Sequence, residues 1–159
     1  AAVSNPANWK WWGSVLGVLF LLWVGAGVLL IRPIRRYFQR RRLEMDYQRA
    51  QKELTTAQAA WPNQSAYLLG VARTWKNYMD KRVKLGLPSL SSRELQGALP
   101  EMETVPPEVR AELLALNRDA DASTYGGQSM EEARSKQYSE TVAQVLLHEF
   151  ERRKEALKA

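Results

Sequence analysis

The longest apolar stretch of the chain lies near its start, at residues 11–31, and is rich in Leu, Val, Trp and Phe. Its 21 consecutive uncharged residues would span about 30 Å as a helix, which is the thickness of a bilayer core. A buried core helix of this length normally carries a polar stripe, whereas here the polar Ser14 lies near one end. The pattern predicts a transmembrane helix. A cleavable signal peptide is the alternative, but this run is too long and its basic residues follow it.

Beyond this run, apolar residues recur at spacings of four and three and predict a helix over residues 37–60. They are Leu43, Tyr47, Ala50, Leu54 and Ala57. We call this row of five apolar residues the seam. The favoured interpretation is that the seam packs against its own domain, and the alternative is a short coiled-coil dimer. Pro62 should end the helix, because proline lacks an amide donor and pushes the preceding residue out of helical geometry.

Helical spacing continues over residues 65–84, where an apolar stripe should face the core. The stripe comprises Leu68, Val71, Ala72, Trp75, Tyr78 and Met79, followed by Arg82 or Val83. Gly86 is a candidate C-terminal cap. Ser91 and Glu94 have the spacing of a capping box, which predicts a short helix to about residue 99.

Two further helices are predicted in the last third of the chain. Pro107 suits the first position of a helix that ends near Asp119. A loop is predicted over residues 119–127, and Ser129 with Glu132 should cap a last helix reaching about residue 157. The buried stripe of that helix is expected to contain Met130, Ala133, Tyr138, Val142, Val145 or Leu146, and Phe150.

No alternating strand pattern is present, so the sequence predicts an all-α protein. Its single transmembrane helix is followed by a cytoplasmic bundle of about five helices. The predicted organisation is an external segment at 1–10, the transmembrane helix at 11–31, a basic juxtamembrane collar at 32–42 and a helical domain at 43–159.

Charge is concentrated directly behind the apolar run. Six arginines form the collar: Arg32, Arg35, Arg36, Arg40, Arg41 and Arg42. Only Lys10 precedes the run, and because basic flanks stay on the cytoplasmic side, the N-terminus should lie outside the inner membrane. The collar is a topology signal, and it can also attract anionic lipid headgroups.

Outside the collar the charge pattern argues against a nucleic-acid-binding domain. Seven of the 23 Lys and Arg residues precede Leu43, whereas all 17 acidic residues follow it, which leaves the helical domain at about −1. A nucleic-acid-binding domain would instead carry a basic face.

Candidate chemistry is sparse, and the sequence indicates neither an enzyme nor a cofactor. The chain has no cysteine and one histidine, His148, which excludes disulfides and thiolate metal sites. Asp119 and Asp121 could suggest a cation loop, but the position that should close an EF-hand with Glu is Met130. No partner for acid–base catalysis by His148 can be identified.

Two surfaces are candidates for protein contacts. Gly13 and Gly17 are one helical turn apart and could let a second transmembrane helix approach closely, although a lipid-facing anchor is the commoner role for such glycines. Around the predicted loop, contact with a partner is expected because loops on a rigid scaffold often carry function. The residues expected there are Asp119, Asp121, Tyr125, Glu131 and Glu132.

The order of caps and core positions after residue 32 resembles the cytoplasmic region of BatD-like membrane proteins, which are encoded beside MoxR ATPases and von Willebrand factor A proteins. In that family an amphipathic helix ends in a Gly-Leu-Pro turn, and a Ser or Thr pair opens a short helix. The matching residues are Arg82, Gly86, Leu87, Pro88, Ser91, Ser92, Glu94 and Leu95. Two later helices continue the resemblance with Val105, Pro107, Glu108, Val109, Arg110, Leu113, Leu114, Ala120 and Asp121, and then Ser129, Glu131, Glu132 and Ala133.

The resemblance implies a non-enzymatic membrane component that docks an AAA ATPase of the MoxR type or a von Willebrand factor A protein. The alternative is an accessory subunit of a larger membrane complex that associates through its transmembrane helix. Membrane lipids are expected partners in both cases, and nucleic acid is not.

Overall fold

A computed structural model describes residues 6–127 and 130–158, and within them every regular element is helical. Five α-helices follow one another along the chain: α1 (Pro6–Ala59), α2 (Gln64–Val83), α3 (Ser92–Ala98), α4 (Pro107–Tyr125) and α5 (Glu132–Ala156). Short 3-10 turns occupy Leu87–Ser89 and Leu99–Glu101. The predicted all-α class is confirmed.

Helix α1 differs from the expectation of two separate helices. It continues from the apolar run through Pro33 to Ala59. A proline inside a helix removes one backbone hydrogen bond. The helix nevertheless continues here, because the flanking Leu and Arg residues have high helix propensity and Ile is tolerated. The chain divides into two compact units, Ala1–Arg41 and Arg42–Ala159.

The second unit is a helical domain built around α2, whose predicted stripe is buried as expected. Trp75 lies at its centre with no exposed surface, and Leu68, Val71 and Met79 are equally enclosed. Helices α4 and α5 both pack against α2. Burial of such apolar surface is the main source of stability in a small domain.

The seam that follows the collar also joins this core. Ala50, Leu54 and Ala57 are buried, and Tyr47 stacks on Phe150 with ring centroids 4.4 Å apart. Gly70 lets the backbones approach here, because a Cβ added to it would lie 2.6 Å from the Cβ of Ala57. Packing on its own domain, the favoured interpretation of the seam, is confirmed.

The local signals at helix ends are partly confirmed. Ser91 and Glu94 form the capping box of α3, and Pro107 begins α4. The predicted C-terminal cap of α2 is wrong, because Lys84 rather than Gly86 takes the left-handed C-cap conformation, with φ of 54°. Gly86 adopts a positive φ of 69° two residues later, at the start of the next turn.

The predicted loop at residues 119–127 is wrong over most of its length. Helix α4 continues to Tyr125 rather than ending near Asp119. Hydroxyl groups on other helices donate hydrogen bonds to Asp119 and Asp121, and these bonds satisfy side chains that would otherwise favour a turn. Helix α5 begins after Glu131, whereas the predicted cap Ser129 lies outside the described residues.

The stripe of α5 is confirmed at its centre and wrong at its start. Tyr138, Val142, Val145 and Leu146 are buried, whereas Ala133 is exposed. Met130 and Phe150 are half-buried. Three polar residues share the buried face instead: Ser135, Ser139 and Glu149.

Candidate functional site

The first unit presents its apolar side chains to the outside. An 18-residue window of α1 has a mean hydropathy of 2.5, and none of it is buried. A core helix of a soluble protein would be mostly buried by other parts of the protein. This segment is not, and it therefore differs from such core helices. Within residues 6–127 and 130–158, one helix is long and apolar enough to cross a membrane.

The arginine collar, Arg32 to Arg42, is exposed at all six positions. Successive residues of a helix are rotated by about 100°, so the six guanidinium-bearing residues are distributed around α1 rather than along one face. This distribution suits contact with headgroups on every side of a helix.

Gly13 and Gly17 lie one turn apart on an open face of α1. A Cβ built at either position would meet no atom within 4 Å. The same is true of Gly25 and Gly27, whose spacing of two places them on different faces. Only the first pair therefore offers the one-turn spacing that close helix packing uses.

Asp119 and Asp121 are engaged within the domain rather than gathered at a loop. Tyr138 donates its phenolic hydrogen bond to Asp119, and Ser92 donates to Asp121. One aspartate therefore links α4 to α5, and the other links α4 to α3. Among residues 6–127 and 130–158, no group of three or more acidic, His or Cys side chains could hold a metal ion.

The other three residues predicted to contact a partner lie at the surface. Tyr125, the last residue of α4, is 88% exposed. Glu131 and Glu132 are exposed at the start of α5, and Glu132 pairs with Lys136 at 2.7 Å. These three residues are accessible, and Asp119 and Asp121 are half-exposed, so contact of the five with a partner stays a prediction.

A buried polar network around Lys76 was not anticipated from the sequence. The side chain of Lys76 is largely enclosed, and its Nζ donates to the carbonyl oxygen of Leu90 at 3.2 Å. Burial lowers the pKa of Lys76, and the nearby carboxylate of Asp121 partly opposes this shift. Ser92 accepts a hydrogen bond from Asn117 at 2.8 Å, so the network joins α2, α3 and α4.

A second unanticipated feature is a carboxylate surrounded by three arginines. Glu149 on α5 is 2% exposed and accepts from Arg82 at 2.7 Å, Arg153 at 2.9 Å and Arg152 at 3.2 Å. We call these four residues the arginine cluster. Arg152 and Arg153 follow Glu149 by three and four residues, a helical spacing that sequence analysis could have recognised. Arg82 is 67 residues away and could not have been identified.

Tyr78 is packed beneath this cluster. The guanidinium of Arg153 lies 5.1 Å from the centre of its ring, within the range of a cation–π contact. Burial raises the pKa of Tyr78 to about 12, although the charge of Arg153 acts in the opposite direction. The phenol is therefore neutral at physiological pH and serves as a packing surface for the cluster.

A groove of about 260 Å³ lies beside the arginine cluster, between the start of α4 and the middle of α5. Val105, Pro106, Val109 and Val145 supply most of its apolar wall. The polar lining comes from Thr104, Thr141, Gln144, His148 and Glu149. An apolar groove with a few polar groups at its edge is the usual form of a peptide or small-molecule site.

Comparison of the chain with protein families, curated proteins and solved structures finds no match.

Proposed function

We propose that this chain is a non-enzymatic component of the bacterial inner membrane that docks a cytoplasmic protein. The partner is an AAA ATPase of the MoxR type or a von Willebrand factor A protein, as the resemblance to BatD-like proteins implies. The observation that carries the proposal is an apolar helix without protein cover, followed at once by six exposed arginines.

The orientation follows from the charges that flank the apolar helix. Six arginines on one side against one lysine on the other favour a cytoplasmic location for the collar and for the domain behind it. The N-terminus then lies outside. The collar contacts anionic headgroups of the inner leaflet, each arginine contributing about 1 kcal/mol near the surface.

A docking role is supported by how the second unit uses its charged groups. Asp119, Asp121 and Glu149 each accept hydrogen bonds that join helices. Groups employed in this way stabilise a rigid scaffold that presents surfaces to partners. The domain requires no cofactor in this role, and its nearly neutral net charge does not favour nucleic acid as a partner.

A second candidate function is favoured by one specific observation. Gly13 and Gly17 leave an open patch on one face of α1, against which a helix of another subunit could pack. The chain would then be an accessory subunit of a larger membrane complex.

Replacing Gly13 and Gly17 together by Leu distinguishes the two functions. The full-length chain is purified with its partners from detergent-solubilised native membranes, and the partners are identified by mass spectrometry. We expect the Gly13→Leu/Gly17→Leu variant to recover the same AAA ATPase or von Willebrand factor A protein as the unchanged chain, because docking occurs through the cytoplasmic domain.

The matched control is Gly25→Leu/Gly27→Leu, which adds the same side chains to different faces of the same helix. Loss of integral membrane subunits with the first variant and not with the second would favour the accessory-subunit function. Failure of every version to recover an AAA ATPase or a von Willebrand factor A protein would contradict the docking proposal.

A further inference from the structure

The arginine cluster adjoins one edge of the groove between α4 and α5, through Thr104 and Glu149. Arg82 bonds through Nη1 to Glu149 at 2.7 Å and to Thr104 at 3.2 Å, and both of these residues line the groove. Arg152 reaches the same carboxylate at 3.2 Å through Nε and Nη2. The three arginines of the cluster face one carboxylate, so two positive charges are unbalanced within it.

Donor groups of these arginines remain for a ligand. A guanidinium has five N–H donors in a planar fork, but within the described ranges Arg82 donates only through Nη1, and Arg152 only through Nε and Nη2. Arg82 and Arg152 are 33% and 38% exposed. Their remaining donors can therefore reach a carboxylate from outside the chain, to which arginine binds with two parallel hydrogen bonds.

The apolar wall of the groove determines which anion fits. Pro106 is exposed and Val109 half-buried in the groove lining, and the largely buried Val105 and Val145 complete its apolar wall. A phosphate group has no apolar part to place against this wall. A peptide can place an apolar side chain and a carboxylate within one or two residues of each other. Recognition of acidic peptides by clustered arginines is a recurring mode of protein binding.

We propose that this groove and the arginine cluster bind a short acidic segment of a protein partner. One apolar side chain of the segment lies against the apolar wall of the groove, chiefly Pro106 and Val109, and neighbouring carboxylates pair with Arg82 and Arg152. The inference rests on the docking function proposed above, and it specifies the surface and the chemistry of the docked segment.

The direct test is selection from a random-peptide phage library on the full-length chain in detergent micelles. Parallel selection is made on Gln144→Trp, which places a large side chain at an exposed position of the groove lining. Peptides enriched on the unchanged chain, and not on the variant, are expected to carry Asp or Glu beside an apolar residue. Enrichment that is equal on both proteins, or peptides without acidic residues, would overturn the proposal.

A synthetic peptide of the enriched sequence then gives the size of the effect by fluorescence anisotropy. Gln144→Trp and Arg152→Gln should each weaken binding about tenfold or more, and so should replacement of the acidic residues of the peptide by amides. Ala143→Trp is the matched control, because it adds the same ring at the neighbouring exposed position of α5, outside the groove lining. Unchanged affinity in Arg152→Gln would contradict the role of the cluster.

The outcomes separate this inference from the docking proposal. Docking occurs on another surface if acidic peptides do not bind the groove and the Gln144→Trp chain still co-purifies with the AAA ATPase or von Willebrand factor A protein from native membranes. If no such partner is recovered with the unchanged chain but acidic peptides bind the groove, the surface is correct and the assigned partner is wrong.

Discussion

Replacing Leu21 and Leu22 together by Arg is expected to remove the chain from the membrane fraction. Both residues lie at the middle of the apolar run and are exposed. An arginine at the centre of a membrane helix raises the free energy of insertion by about 2.5 to 3.5 kcal/mol. Each lost leucine removes a favourable contribution of a few tenths of a kcal/mol. The pair therefore costs about 6 to 8 kcal/mol, and we expect this cost to prevent insertion of the helix. The measurement is the share of chain that sediments with membranes after an alkaline carbonate wash.

The matched control is Met45→Arg with Gln48→Arg, which adds the same charges at two exposed positions behind the collar. This variant should stay in the membrane fraction, because its new charges lie outside the apolar run. Retention of the Leu21→Arg/Leu22→Arg chain after the wash would contradict a transmembrane role for residues 11–31.

Replacing the buried Glu149 by Gln is expected to destabilise the domain more than substitution of any other buried polar residue. The neutral amide leaves three arginines without their shared counter-charge, and removal of one partner of a buried ion pair is strongly destabilising. Because Arg82 and Arg152 are about one-third exposed, water recovers part of the loss, and we expect the free energy of unfolding to fall by about 2–3 kcal/mol. Thermal unfolding of the full-length chain in detergent, followed by circular dichroism, measures it.

Glu151→Gln provides the comparison, since it removes the same charge from an exposed position two residues further along α5. Its unfolding temperature should change little, because isolated surface charges contribute little to stability. Equal unfolding temperatures for the two variants would show that the arginine cluster does not stabilise the domain.

The presence of most helices could be predicted from the sequence, because helix formation depends on local signals such as apolar spacing and capping residues. The spacing of Leu68, Val71, Trp75 and Met79 identified the buried face of α2, and the Ser91–Glu94 capping box identified the start of α3. Both signals operate within a few residues of the chain.

Features that depend on distant partners could not be predicted in the same way. The predicted end of α4 near Asp119 is too early because Asp-Ala-Asp is typical of a loop, whereas Asp119 accepts a hydrogen bond from Tyr138 on another helix. The buried Glu149 accepts a hydrogen bond from Arg82, which is 67 residues away at the end of α2. The groove has the same origin, since its walls come from the start of α4 and the middle of α5.

Labelling of single cysteines shows on which side of the membrane each end of the chain lies, because the chain has no cysteine of its own. Ser4→Cys and Gln48→Cys variants are exposed to a membrane-impermeant maleimide in spheroplasts. We predict that Cys at position 4 reacts at once, and that Cys at position 48 reacts only after the membrane is permeabilised. The reverse pattern, or a mature chain that has lost position 4 together with the apolar run, would contradict an anchored chain with a cytoplasmic domain.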